Sequence, residues 1–406
     1  GSLIDNEGKT YFPEDMKLIT HWGLRDEIKS SYSGQDGLRK QEMIYRVMKR
    51  IIDQSIPEMV INNNQYQWNP FENKVYKEGK EISHKPEPDT RYVHFLNGFE
   101  SMKQIDPYSP YYQNYISRKF DQDMEISLQQ IEELFKTLVS SPQAAKVADM
   151  IRKRLGRDLQ PFDIWYDGFK PRSEYSPEKL DEIVRSKYPD KDAFEQGIPE
   201  ILVKLGFSGK KAKEISSRIT VDAARGAGHA WGAVMRGDNA HLRTRIGSKG
   251  LDYKGYNIAV HELGHNVEQT ITLYDTDHYT LRRVPNTGFT EAVAFIFQTK
   301  DMELLGLKSE DINRKHWKNL DLFWGIYEIM GVSLVDAEVW KWLYNNPGTN
   351  AEQLKNKVIE IAEDVWNRYY AGVFGLRDEP VLAIYSHMIS YPLYLSAYPL
   401  GHLIEF

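Results

Sequence analysis

His261 and His265 stand four residues apart in AVHELGHNVEQ (259–269), with Glu262 directly after the first. On an α-helix, residues four apart share a face and are separated by roughly 6 Å along the axis, so the two imidazoles can grip one ion together. Neutral imidazole suits zinc, which in catalytic sites takes three protein ligands and leaves a fourth position to water. Glu262 then lies beside that water rather than on the metal. Zinc draws the water's pKa toward neutrality, and a neighbouring carboxylate can take the proton as the oxygen attacks a carbonyl. H-E-x-x-H arises by chance in about one chain in fifty of this composition, so the motif calls for a third ligand.

That ligand is sought downstream. After the motif the chain runs through LYDTDHYTLRRVPNTGF (273–289), where Pro285, Asn286 and Gly288 mark a turn, and re-enters helical pattern at TEAVAFIFQ (290–298). Glu291 is expected in the first turn of this second helix, where an acid also suits the helix dipole. A helix, a turn and a second helix returning antiparallel would set Glu291 against the histidine pair, which makes it the third ligand candidate. Gly264, between the histidines, costs about 1 kcal/mol against alanine in a helix and predicts close approach by a neighbouring element. Asp275, Asp277 and His278 are either outer partners of such a site or ordinary polar loop residues.

The elements that must position these residues are mostly helical. Ile44, Val47, Met48, Ile51 and Ile52 recur at helical spacing, as do Met124, Leu128, Ile131, Phe135 and Leu138, and later Leu354, Val358, Ile361, Ala362 and Val365; these are core stripes. The polar, proline-bearing stretch from Asn62 to Tyr92 reads as a long irregular or two-stranded excursion and is assigned as loop. A second break, RDLQPFDIWYDGFKPRSEYSPEK, precedes another helical run. AHLRTRI, Ala240 to Ile246, follows a Gly-Asp-Asn turn and partly alternates, so a short strand is expected just upstream of the motif. No internal repeat and no low-complexity tract is present.

Composition narrows the partners. The chain has 406 residues, enough for two or three lobes around a large core, and carries 52 basic against 58 acidic side chains for a formal charge of −6. No concentrated Lys/Arg tract is present, so nucleic acid is not an expected partner. No apolar run approaches the roughly 18 residues needed to cross a bilayer, so no membrane span is expected. Absence of cysteine excludes disulfides, cysteine nucleophiles and thiolate metal sites. The opening GSLIDNEGK has no basic start followed by an apolar segment. Gly1 and Ser2 look like an expression scar, and a leader removed upstream is consistent with a periplasmic or exported protein, a cytoplasmic one being the alternative.

Three segments together resemble the zinc oligopeptidase family that includes thimet oligopeptidase and oligoendopeptidase F. The first is HELGH with Glu291 following His265 by 26 residues in an E-x-x-A context. The second is ITVDAARGAGHAWGAVMRGDNAHLRTRIGSKGLDYKGYNIAVHELGH (219–265), which is similar to the family's run through a glycine and a Gly-Ala pair into a strand and the zinc helix. The third is SHMISYPLYLSAYPLG (386–401), similar to the family's terminal histidine, tyrosine cluster and glycine. The resemblance covers roughly residues 200 to 406; the front half shares only helical character.

The resemblance implies a mainly α fold, a helical two-lobed metallopeptidase with a small β-sheet beside the active-site helix, divided here into a lobe of residues 1–200 and a catalytic lobe of residues 201–406. It implies one zinc ion held by His261, His265 and Glu291, with Glu262 as general base and then proton donor to the leaving amine. His387 would contact substrate, and Tyr391 or Tyr394 would supply a hydroxyl to the charged oxygen of the tetrahedral intermediate. Tyr391, Tyr394 and Tyr398 do not all share the family's register, and Ser396 stands where relatives carry tyrosine. In a chain with 25 tyrosines, their spacings of 3 and 4 also suit a buried helix face. The family binds substrate backbone along the strand before the zinc helix, a role that would fall to AHLRTRI; Arg243 or Arg245 could meet a peptide carboxylate or be simply solvated. The expected function is a monomeric zinc metallopeptidase acting on oligopeptides. The alternatives are a metallocarboxypeptidase with the same ligands and a non-catalytic, zinc-containing helical binding protein.

Overall fold

The stripe of Ile44, Val47, Met48 and Ile52 is buried along a helix, Gly37–Ile52, in the computed structural model, and Leu354, Val358, Ile361, Ala362 and Val365 are all buried along another, Ala351–Tyr369. The stripe from Met124 to Leu138 is divided. Met124 ends a π-helical stretch, Arg118–Met124, Glu125 turns left-handed at φ 55°, and a new helix, Leu128–Val139, starts with Ser127 capping it. The side chain of Ser127 accepts a hydrogen bond from the Gln130 amide, which supplies the acceptor that a fresh helix start requires.

The structure describes residues 2–13, 21–33, 36–169, 175–224, 228–281, 286–307 and 312–406, apart from the side chains of His21, Trp22, Ser33 and Tyr279. Pro285 of the expected turn, and Arg225, Gly226 and Ala227 of the glycine-bearing segment, lie outside these residues. Among the described residues the chain is mainly helical with two small sheets, and no helix is long and apolar enough to cross a membrane.

The chain forms two compact units. One comprises Gly1–Phe169 and Leu320–Ser396, the other Lys170–Asn319 and Ala397–Phe406. This division differs from lobes at 1–200 and 201–406. Residue 200 lies inside the helix Lys191–Lys204, whose Phe194, Ile198, Ile201 and Leu202 are buried in the core of the second unit, so a cut there would split one packed element.

In the first unit the stretch assigned as loop contains strands. β1 (Ser2–Leu3) pairs in parallel with β2 (Gln67–Asn69), which continues through antiparallel β3 (Lys74–Lys77) and β4 (Lys80–Ile82). The strands are only 3 or 4 residues long in this excursion and mostly exposed outside Trp68, Asn69 and Val75, which is why alternation was too brief to register. In the second unit β5 (Ile219–Ala224), β6 (His229–Trp231) and β7 (Ala240–Arg245) form a sheet in the order β5-β7-β6. β7 matches the expected strand to within one residue. It runs parallel to β5 and antiparallel to β6, and Val221 and Leu242 face a core shared with Tyr256, Val260 and Leu263 of the motif helix.

Candidate metal centre

The motif helix is Tyr253–Asp275, and Asp252 caps it by accepting a hydrogen bond from the Gly255 amide at 2.7 Å. β7 lies against its first turn, where Thr244 Oγ1 donates to the Gly255 carbonyl at 2.7 Å. Ala259, Val260, Leu263 and Val267 are buried along one side. His261, Glu262 and His265, partly buried, occupy the other.

The second helix, Thr287–Gln298, is capped by Asn286, whose side chain accepts from the Phe289 amide. Because it starts at Thr287, Glu291 is past the first turn, and the expected first-turn position is corrected; the helix dipole, whose effect is confined to the terminal turn, does not account for the acid. Packing does. A Cβ built on Gly264 would lie 2.6 Å from Ala294 Cα, so glycine is what lets the two helix backbones meet. A third helix, Ala397–Glu405, closes on the far side, where a Cβ on Gly401 would lie 2.7 Å from Glu291 Cβ. Glu291 is 2 % exposed and is held between the two contacts.

The three candidate ligands converge. His261 Nε2 lies 3.5 Å from one Glu291 oxygen, His265 Nε2 lies 3.6 Å from the other, and one ligand atom from each residue falls within 4.8 Å of the rest. Zinc bonds of about 2.0–2.1 Å in a tetrahedron separate neighbouring donor atoms by roughly 3.3 Å, a spacing that the two histidine–carboxylate distances approach, so this donor set could hold a metal ion. Burial lowers His265 to about 4, leaving the neutral imidazole that coordination needs. Burial acts the same way on His261, but hydrogen bonding to Glu291 and its charge outweigh it, and that pKa is raised. Glu262 is pushed up to about 7 by burial, with His261 opposing and Glu291 reinforcing.

Several neighbours of the triad carry no sequence signal. Phe295 is tilted against the His261 ring at 5.2 Å and stacks on His402 at 3.6 Å and 13°. A lone histidine near the end of the chain gives no hint of this, since the stack depends on how Ala397–Glu405 packs on Thr287–Gln298. Gln298 Oε1 lies 3.2 Å from His261 Nδ1.

β7 does not have the role expected of it. It is the inner strand, paired from Ala240 to Arg245 with β5 and from His241 to Arg243 with β6, so an added strand has no edge to take at those central residues. The edge strand near Glu262 is β6, and a Cβ on Gly228, just before it, would lie 3.1 Å from Glu262 Oε1. Arg243 lies over the Trp231 ring at 5.7 Å, and Arg245 pairs with Asp252 at 2.5 Å. Asp275 is engaged by Lys211 at 2.7 Å, while Asp277 and His278 are exposed in the segment that follows the motif helix.

His387, Tyr391 and Tyr394 belong to the first unit. His387 opens a four-residue helix, His387–Ser390, with Tyr391 6.3 Å away and Tyr394 6.5 Å beyond. The tyrosines are not one buried helix face: Tyr391 is 56 % exposed, Pro392 follows, and Leu393 adopts φ 61°. Asp336 holds this turn, accepting the Leu393 amide at 2.8 Å. Tyr398, in contrast, is in the second unit with the triad, its ring 6.4 Å from Phe295. Comparison with family models, with curated proteins and with solved structures finds no match for this chain.

Proposed function

We propose that the protein is a zinc-dependent metallopeptidase that cleaves peptide bonds within oligopeptides. The observation that carries this reading is the convergence of two imidazole nitrogens and a buried carboxylate, with an acid that is not a ligand on the same helix face. His261, His265 and Glu291 would hold the ion, which when bound supplies Lewis acidity toward water and the substrate carbonyl. A structural zinc site needs ligands but no base, and Glu262, raised to about 7, has the affinity to take a proton near neutrality and return it to the departing amine. β6 is the strand edge next to this carboxylate, and an extended peptide adding to it would bring its backbone alongside Glu262. Such pairing suits an internal stretch of peptide, which favours internal cleavage over trimming of terminal residues.

The test is mass spectrometry of a mixed peptide library incubated with zinc-loaded protein, beside Glu262→Gln. Internal cuts that disappear in a variant retaining full zinc are the expected result, with a rate loss of at least about 100-fold. If both proteins hold zinc and neither cuts any peptide, the catalytic reading is overturned and a binding protein with structural zinc replaces it.

A further inference from the structure

Behind His261 runs a chain of polar side chains that ends on a buried acid. His261 Nδ1 faces Gln298 Oε1 at 3.2 Å, Gln298 Nε2 donates to Asn257 Oδ1 at 2.8 Å, and Asn257 Nδ2 donates to Asp301 Oδ2 at 2.6 Å. Asp301, 7 % exposed, also accepts the Tyr253 hydroxyl at 2.5 Å and, through its other oxygen, the Met302 amide at 2.6 Å. Three elements contribute: Asn257 and Tyr253 come from the motif helix, Gln298 is the last residue of the second helix, and Asp301 opens the short helix Asp301–Leu304.

The chain has a direction. Asp301 accepts through both of its oxygens, so the Asn257 amide turns its NH2 toward Asp301 and its oxygen toward Gln298. Gln298 must then offer NH2 to Asn257 and oxygen to His261. Facing an acceptor, Nδ1 of His261 keeps its proton, so when the ring gives up the other one, as metal binding requires, the lone pair is on Nε2, the nitrogen beside Glu291.

We propose that Gln298, Asn257 and Asp301 are positioning residues that fix the tautomer and ring orientation of His261 for metal binding, with Asp301 setting the polarity from three hydrogen bonds away. The inference rests on the zinc reading of the triad. None of the three residues belongs to the candidate ligand set; they act through His261. A histidine ligand whose second nitrogen donates to a fixed acceptor is a stronger donor to the metal and spends less time in the wrong tautomer or orientation.

The experiment is zinc affinity by competition with a chromophoric chelator, for wild type, Gln298→Leu, Gln298→Glu and Asp301→Asn, with thermal melts of the metal-free proteins as a folding control. Gln298→Leu, which cannot accept, is expected to bind zinc about 10–100-fold more weakly, while Gln298→Glu, which can, retains or exceeds wild-type affinity. Asp301→Asn, nearly isosteric, is expected to weaken binding and to move the Nδ1–H proton resonance of His261 in the zinc-loaded protein upfield, a shift that lost packing alone would not produce. Equal affinity in wild type and Gln298→Leu overturns the relay, as does an equal loss in Gln298→Leu and Gln298→Glu, which would indicate packing. Wild-type protein without zinc affinity overturns the metal reading itself.

Discussion

Burial raises Glu262 and Asp336 to about 7, as it does Glu87, and for the first two the consequences differ. Glu262 is beside the candidate ligands, where a carboxylate that binds protons near neutrality can serve as a base. Asp336, 1 % exposed, instead ties down the turn at Leu393, and its raised pKa is a statement about stability. The folded-state value lies above the ordinary 3.8, so the native state binds the extra proton. The contribution of the neutral acid is fully present below about pH 4 and is lost as pH rises through about 7. Asp336→Asn keeps an oxygen for the Leu393 amide and removes the ionisation. The variant should match wild type at about pH 4 and exceed it at about pH 8, by up to roughly 4 kcal/mol. Paired urea melts at the two pH values check this; a gap that widens toward low pH would contradict it. At the triad, if the candidate histidines hold zinc they must be deprotonated to bind it, so zinc affinity should fall as the solution is acidified, with protons released on binding in a calorimetric titration.

At the scale of elements, the spacing of the candidate ligands is set by how closely two helices approach. The contact of Gly264 with Ala294 has no room for a methyl group, since the added carbon would stand 2.6 Å from backbone. Gly264→Ala gains helix propensity but must push the helix Thr287–Gln298 outward, and the net effect expected is a loss of about 1–3 kcal/mol in a thermal melt. Zinc affinity should fall with it, because Glu291 moves with its helix while both histidines remain on theirs. Unchanged zinc affinity in a destabilised Gly264→Ala protein would mean that this contact does not control the triad. The same scale explains β6: with only three residues and one exposed face, it becomes informative only once β7 is seen to be internal.

For the whole molecule, the second unit is discontinuous, built from residues 170–319 and then 397–406. The last helix, Ala397–Glu405, covers the side of Thr287–Gln298 that carries Glu291, with Gly401 against Glu291 and His402 stacked on Phe295. A chain stopped after Ser396 should therefore lose zinc binding and expose Ala292 and Phe295, which are otherwise buried. Chelator competition together with binding of a hydrophobic dye would register both effects. A truncated chain that binds zinc as tightly as the full one would show that the triad is complete without its final helix.

What the sequence alone determined is local. The i, i+4 spacing of His261 and His265 puts both on one helix face whatever surrounds them, Gly264 signals close approach, and the brief alternation of 240–245 marks a strand, because helix and strand periods act over a few residues. The remainder depended on tertiary structure. Glu291 meets the histidines because of backbone contacts at Gly264 and Gly401, 137 positions apart. β7 is an inner strand because β6 pairs on one side and β5 on the other, and the assignment of His387, Tyr391 and Tyr394 to the unit without the triad is a matter of long-range packing. The Gln298–Asn257–Asp301 relay has no sequence signature, since its members come from three elements and only packing aligns their hydrogen-bonding groups.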